Sequence, residues 1–200
     1  MPELKIILEA VLLAADEPLS LERLLAVFAD EEPPSQDELR TALAALAADY
    51  AGRGVELGEV ASGFRLQVPK ALSPWVSRLW EERAVRYSRA LLETLALIAY
   101  RQPITRGEIE AVRGVSVSSG IMKTLQERGW IKVIGHREVP GRPALYATTW
   151  DFLDYFNLKS LSELPPLAAL RDLDAIGAEL ERRAAVSAAD LPPHTEPSDA

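Results

Sequence analysis

The side chains that carry most enzyme chemistry are scarce or scattered in this chain. Its only histidines are His136 and His194; the first falls in a strand pattern and the second in a proline-rich tail, so neither sits on a helix at metal-ligand spacing. There is no cysteine, which excludes disulfides and thiolate ligands. Acidic pairs such as Glu31/Glu32 and Glu108/Glu110 read as caps or solvated faces. No Gly-x-x-x-x-Gly-Lys or Gly-x-Gly-x-x-Gly loop is present to cradle a phosphate. The expectation is a protein with no active site, metal or cofactor, whose work is recognition.

The remaining chemistry is charge, and it is unevenly placed. The net charge is −8, but residues 101–149 hold 8 basic and 4 acidic groups, while residues 1–80 hold 7 basic and 13 acidic and residues 150–200 hold 4 and 10. Only the 101–149 stretch could face nucleic acid or an acidic protein. A helix there offers Ser118, Ser119, Lys123, Thr124, Gln126 and Arg128, with Arg106, Arg113, Arg137 and Arg142 close in sequence. Lys123 and Arg128 suit phosphates, but a helix of Ser and Thr with one Lys lacks the bidentate side chains that read bases. Direct DNA binding is therefore expected to be weak, nonspecific and salt-sensitive, about 10⁻⁴–10⁻⁶ M or weaker at physiological salt. A DNA-binding transcription regulator remains the alternative class.

The elements that position these residues repeat. Glu17-Pro18-Leu19-Ser20-Leu21-Glu22-Arg23-Leu24 returns 85 positions later as Gln102-Pro103-Ile104-Thr105-Arg106-Gly107-Glu108-Ile109. That period is too long for a solenoid unit and fits a duplicated small domain. In the first copy, Leu4, Ile7, Leu8, Val11 and Leu12 recur at helical spacing over 3–15. Ser20 then caps a short helix, the Ser35/Glu38 capping box opens a third, and alternating residues over Val55–Val68 around Ser62-Gly63 make a hairpin. In the second copy Ser88 caps the first helix and Thr105/Glu108 form another capping box. A helix over 117–128 follows, with Val117, Ile121 and Leu125 inward and Gly129 as C-cap; strands over 130–139 and 144–149 come next.

Helix, Pro turn, short helix, helix and hairpin is the order of a winged helix. The predicted fold is mainly α with small β-hairpin wings, two winged helices in tandem over 1–80 and 88–166. A charged helical linker over 81–87 joins them. An amphipathic helix over 167–186 and a disordered acidic, proline-rich tail over 187–200 follow. Residues 1–15 carry Glu3, Lys5 and Glu9 and no cleavage site, and no uncharged apolar run is long enough for a span. The chain is thus expected to be cytoplasmic, with no membrane contact. Domains this small bury a limited share of their surface and tend to lean on a partner. Tyr100, Trp130, Tyr146, Trp150, Tyr155 and Phe156 crowd the second domain, where they serve either as core or as the lining of a groove for a partner helix.

Leu92-Glu93-Thr94-Leu95-Ala96-Leu97-Ile98-Ala99-Tyr100-Arg101-Gln102-Pro103-Ile104-Thr105-Arg106 resembles the signature of the segregation and condensation protein B family. Ile109–Val115, Val139–Pro143, Phe152–Phe156 and Leu161–Leu167 resemble it too, so the likeness spans about residues 4–167. Ser116-Val117-Ser118-Ser119-Gly120 departs from the usual Asn-Ser-Asp-Gly, lacking its Asn and Asp.

The resemblance implies a non-enzymatic accessory subunit of bacterial condensin, acting in chromosome segregation and associated with the nucleoid through the complex. It implies a homodimer joined by the N-terminal winged helices and bound to the kleisin, segregation and condensation protein A. Through the kleisin it would meet the structural-maintenance-of-chromosomes ATPase, with DNA contact weak or indirect. The kleisin contact is expected in the second domain, at Tyr100, Arg101, Gln102, Arg113, Arg137 and Arg142, which lie in the matching segments. Leu4, Ile7 and Leu8 are candidates for the dimer contact or, equally, for the core.

Overall fold

A computed structural model of the chain describes residues 3–28, 33–79 and 87–165. The expected turn at 30–34 lies partly outside these residues, and the linker over 81–87 almost wholly so; the helix over 167–186 and the tail over 187–200 lie entirely outside them.

The first half runs α1 (Leu4–Ala14), α2 (Leu21–Ala26), α3 (Gln36–Asp49), then strands β1 (Glu56–Val60) and β2 (Gly63–Gln67). Ser20 caps α2 by accepting from the Arg23 N–H at 3.2 Å, and Ser35 and Glu38 form the full capping box of α3. The strands pair antiparallel from Glu56↔Gln67 to Val60↔Gly63. After them, a 3₁₀ turn over Lys70–Leu72 leads into one helical turn, α4 (Ser73–Val76). The proline at 74 sits in the first turn of α4, where a backbone N–H has no intrahelical partner to lose.

The second half repeats the order. It runs α5 (Arg89–Arg101), β3 (Ile104–Thr105), α6 (Arg106–Arg113), α7 (Ser119–Glu127), β4 (Ile131–His136), β5 (Ala144–Thr148) and α8 (Trp150–Tyr155). Three strands form an antiparallel sheet in the order β3-β5-β4, with a register shift between Val133 and Gly135 that makes Ile134 a bulge. Thr105 and Glu108 complete the expected capping box, and Gly114 ends α6 at φ 70. Helix α7 begins two residues later than expected, because Ser118 is its cap. Its inward face is therefore Met122 and Leu125, with Ile121 only half-buried and Val117 buried ahead of the helix.

The duplicated Pro passage has a structural cause. In the first half Leu19 exchanges both backbone hydrogen bonds with Phe64, each at 2.9 Å. In the second half Ile104 pairs with Tyr146 and Thr105 with Leu145. The residues after the proline thus add a third edge to each wing, and the next hydroxyl caps the following helix. One eight-residue passage does both tasks twice.

Each half has its own apolar core. Leu8, Leu12, Leu24, Leu39, Leu43 and Leu46 close the first; Leu92, Leu95, Ile98, Ile109, Leu125, Trp130, Phe152, Phe156 and Leu158 close the second. Trp130 is the hub of the second core, its ring 5.1 Å from Tyr87, 4.7 Å from Tyr155 and 5.3 Å from Phe156. Burial, helped by the hydroxyl of Tyr87, pushes the Tyr155 phenol well above its ordinary value. Trp130 and Phe156 are therefore core and line no groove, whereas Trp150 is 62% exposed.

Candidate functional site

Helices α5 and α6 and the second wing carry the six residues expected to meet a partner, and they divide into two groups. Arg113, at the C-terminal turn of α6, points inward: its side chain is 7% exposed and meets Glu93 at 2.9 Å and the Thr94 hydroxyl at 3.3 Å. Its Nε is buried with no hydrogen-bond partner. Burial raises the Glu93 carboxyl, but hydrogen bonds from Arg89 and Arg113 outweigh that and hold it below the usual carboxylate range. Gln102, at the end of α5, is likewise committed within the fold. Its carboxamide oxygen accepts from the Thr148 N–H at 2.7 Å, and its Nε2 donates to the Ala99 carbonyl and to the Thr148 hydroxyl. The Tyr100 hydroxyl donates to the Pro165 carbonyl at 2.6 Å. Arg113 and Gln102 are therefore committed within the fold: both join α5 to the rest of the second half, and Tyr100 ties α5 to the segment after α8.

Arg101, Arg137 and Arg142 do lie on the surface. Arg137 pairs with Glu108 at 2.8 Å and Arg142 with Glu138 at 3.2 Å, both pairs being well exposed. Arg137 and Arg142 lie on the second wing, where β4 is an edge strand among the described residues. Val133, Ile134 and Val139 on that wing are 41%, 50% and 45% exposed, an apolar strip flanked by cations. Polarity and spacing suggested the cations in sequence, but nothing marked the apolar strip, because alternation along β4 is broken by the bulge.

The surface that DNA would meet is largely neutralised. Lys123 pairs with Glu127 at 3.4 Å, Arg106 with Glu110 at 3.0 Å, and Arg128 lies over the Tyr87 ring at 5.4 Å. Arg106 and Glu110 also clamp the loop ahead of α7, since Glu110 accepts from the Val117 N–H at 2.9 Å and Arg106 donates to the Val117 carbonyl. Lys123 and Arg106 thus present less net charge to phosphate, while Arg128 keeps its charge against the Tyr87 ring. Among the described residues, no group of three or more His, Cys, Asp or Glu could hold a metal ion, and no helix is long and apolar enough to cross a membrane.

The three residues considered for self-association sit on α1. Leu8 is fully buried and belongs to the core; Leu4 and Ile7 are partly buried against it. The face that α1 turns outward is a different one. Ile6, Ala10 and Leu13 stand at i, i+4 and i+7, with Ile6 53% and Leu13 76% exposed. The polar residues of α1 are used elsewhere: Lys5 pairs with Asp49 at 2.7 Å, and Glu9 accepts from the Tyr50 hydroxyl at 2.6 Å. Both contacts face α3, which leaves the outward stripe apolar.

Comparison with known proteins is consistent across both halves. The family model for the segregation and condensation complex subunit ScpB matches residues 6–167. A segregation and condensation protein B homolog of Coxiella burnetii is 57% identical over 195 residues, 97% of this chain and 93% of that protein. Segregation and condensation protein B of Bacillus subtilis is 42% identical over 180 residues, 88% and 89% of the two chains. Among solved structures, ScpB from Mycobacterium tuberculosis is 35% identical, with 78% of this chain and 96% of that one covered at a TM-score of 0.36. A dimer of a ScpB N-terminal domain complexed with a ScpA peptide is 31% identical, covering 42% of this chain and 99% of that one, also at 0.36. Superpositions at that score carry no argument about arrangement. The sequence likeness, running through both winged helices, does: the chain belongs to the family of the segregation and condensation complex subunit ScpB.

Proposed function

We propose that this chain is a non-catalytic accessory subunit of a bacterial condensin. In that role it dimerises through its first half and binds the kleisin ScpA, which joins it to the SMC ATPase during chromosome condensation and segregation. The observation that carries this reading is the family match over residues 6–167, which takes in both winged helices. The chemistry agrees with it. Two small domains with apolar side chains left on the surface, and a reading helix of Ser and Thr whose one Lys is paired with Glu127, suit protein contact better than base reading.

The dimer contact is assigned to the outward stripe of α1, in place of the buried Leu8. Ile6→Glu combined with Leu13→Glu places two carboxylates on solvent-facing positions, so the fold tolerates them while a self-complementary apolar contact does not. Sedimentation of the full chain is expected to give a dimer for the parent and a monomer for the double variant. A variant that remains dimeric would move the contact elsewhere.

The kleisin contact is assigned to the second wing, where Val133, Ile134 and Val139 offer apolar area and Arg137 and Arg142 offer steering charge. Both ion pairs there are exposed and worth about 1 kcal/mol or less each to stability. Arg137→Glu with Arg142→Glu is therefore expected to melt like the parent yet bind ScpA at least about tenfold more weakly, a loss of about 1.4 kcal/mol. Unchanged binding in a calorimetric titration would remove the wing from the contact.

A further inference from the structure

The two halves touch through a polar contact separate from either core. Ser62, in the turn between β1 and β2, donates from its backbone N–H to Asp154 Oδ1 at 3.0 Å and from its hydroxyl to Asp154 Oδ2 at 2.5 Å. Its neighbour Ala61 donates its N–H to the Leu158 carbonyl at 3.0 Å. Lys159 Nζ pairs with Glu59 on β1. Asp154 lies on α8, and Asn157, at φ 55, turns the chain so that Leu158 enters the second core while its carbonyl faces the first wing. The tip of the first wing is thus held from three sides by one short segment, 154–159.

We infer that this contact is a latch that sets the orientation of the two winged helices, and that it can open without unfolding either half. Each half closes its own apolar core, so separation opens neither cluster. The latch consists of hydrogen bonds and one exposed ion pair, which water can replace on opening. Small polar contacts between domains of one chain permit relative motion, whereas large apolar ones forbid it. Charge-assisted bonds to one carboxylate still give the closed state a defined geometry.

Opening has a consequence for the first half. A cavity of about 360 Å³ lies between α3 and the first wing, floored by Leu43, Leu57 and Phe64 and bordered by Arg40, Glu59 and Lys159. All of these except Lys159 belong to the first half. The latch therefore supplies one residue of that lining, the cation Lys159, in addition to Arg40. Orientation of the halves and the shape and charge of the cavity change together.

Distance measurement on the full chain tests this, independently of whether the chain binds a kleisin. Because the chain has no cysteine, cysteines introduced at the exposed positions Ala45 on α3 and Gln126 on α7 are unique spin-label sites. Diluting labelled protein in excess unlabelled chain isolates distances within one chain. The parent is expected to give one narrow distribution. Asp154→Ala and, separately, Lys159→Glu are expected to broaden it towards longer distances while each half melts as before. The charge swap Glu59→Lys with Lys159→Glu should restore the narrow distribution, which separates a latch from general loosening. A broad distribution in the parent, or an unchanged narrow one in both single variants, would overturn the inference.

Discussion

Gly63→Ala is expected to disrupt the first winged helix. Gly63 opens β2 at φ 140, a region open to glycine and closed to almost every other residue. A Cβ added there would lie 2.2 Å from the Leu19 carbonyl oxygen and 2.6 Å from the Ser20 nitrogen, both backbone atoms that no side-chain rotation can move. The substitution must therefore push apart Leu19 and Phe64, breaking two backbone hydrogen bonds and shifting the cap of α2. Backbone strain and overlap together cost roughly 2–6 kcal/mol. Set against a total stability of about 5–15 kcal/mol, that is enough to unfold a small domain. Gly107→Ala is the control. Gly107 lies in α6 with open space around it, so alanine there is expected to be neutral or to stabilise by up to about 1 kcal/mol. Thermal melts of the two variants, followed by circular dichroism, separate these outcomes.

Arg113→Met is expected to cost about 3–5 kcal/mol, the usual penalty for removing one partner of a buried ion pair. Glu93, 16% exposed, would keep only Arg89, whose side chain is 68% exposed and screened by water. Arg89→Ala removes the exposed partner instead and is expected to cost about 1 kcal/mol or less. The sign of the pH dependence follows from Glu93. Its carboxyl is held below its unfolded value, so the pair contributes stability that is present at neutral pH and lost as pH falls through the folded-state value. The parent should therefore lose more stability than Arg113→Met on acidification, and the gap between the two should narrow. Urea titrations at neutral and acid pH test both statements; a gap that widens in acid would contradict the assignment.

Arg113 also illustrates what a sequence conveals. Capping boxes, hairpins and the repeated Pro passage were legible because each is a local pattern: Ser35 finds Glu38 three residues away, and Thr105 finds Glu108. The purpose of an arginine is not local. Glu93 lies 20 residues from Arg113, Thr148 lies 46 from Gln102, and Asp154 lies 92 from Ser62. No periodicity records such pairings, so Arg113 and Gln102 resembled surface residues although they knit α5 into the second half. Leu8 and Ile6 show the same limit at shorter range. Helix α1 is apolar on nearly every side, so spacing alone could not separate the core face from the exposed one. Only the commitment of Lys5 and Glu9 to α3 reveals which way the helix is turned.

The central claim is that this chain works as a dimeric subunit bound to a kleisin. Light scattering after size exclusion, on the full chain alone and mixed with a ScpA kleisin, tests it most directly. The account predicts a mass twice the 21.9 kDa of one chain for the protein alone, and a heavier single species containing the dimer after ScpA is added. A monomer whose mass and elution do not change on addition of ScpA would contradict it.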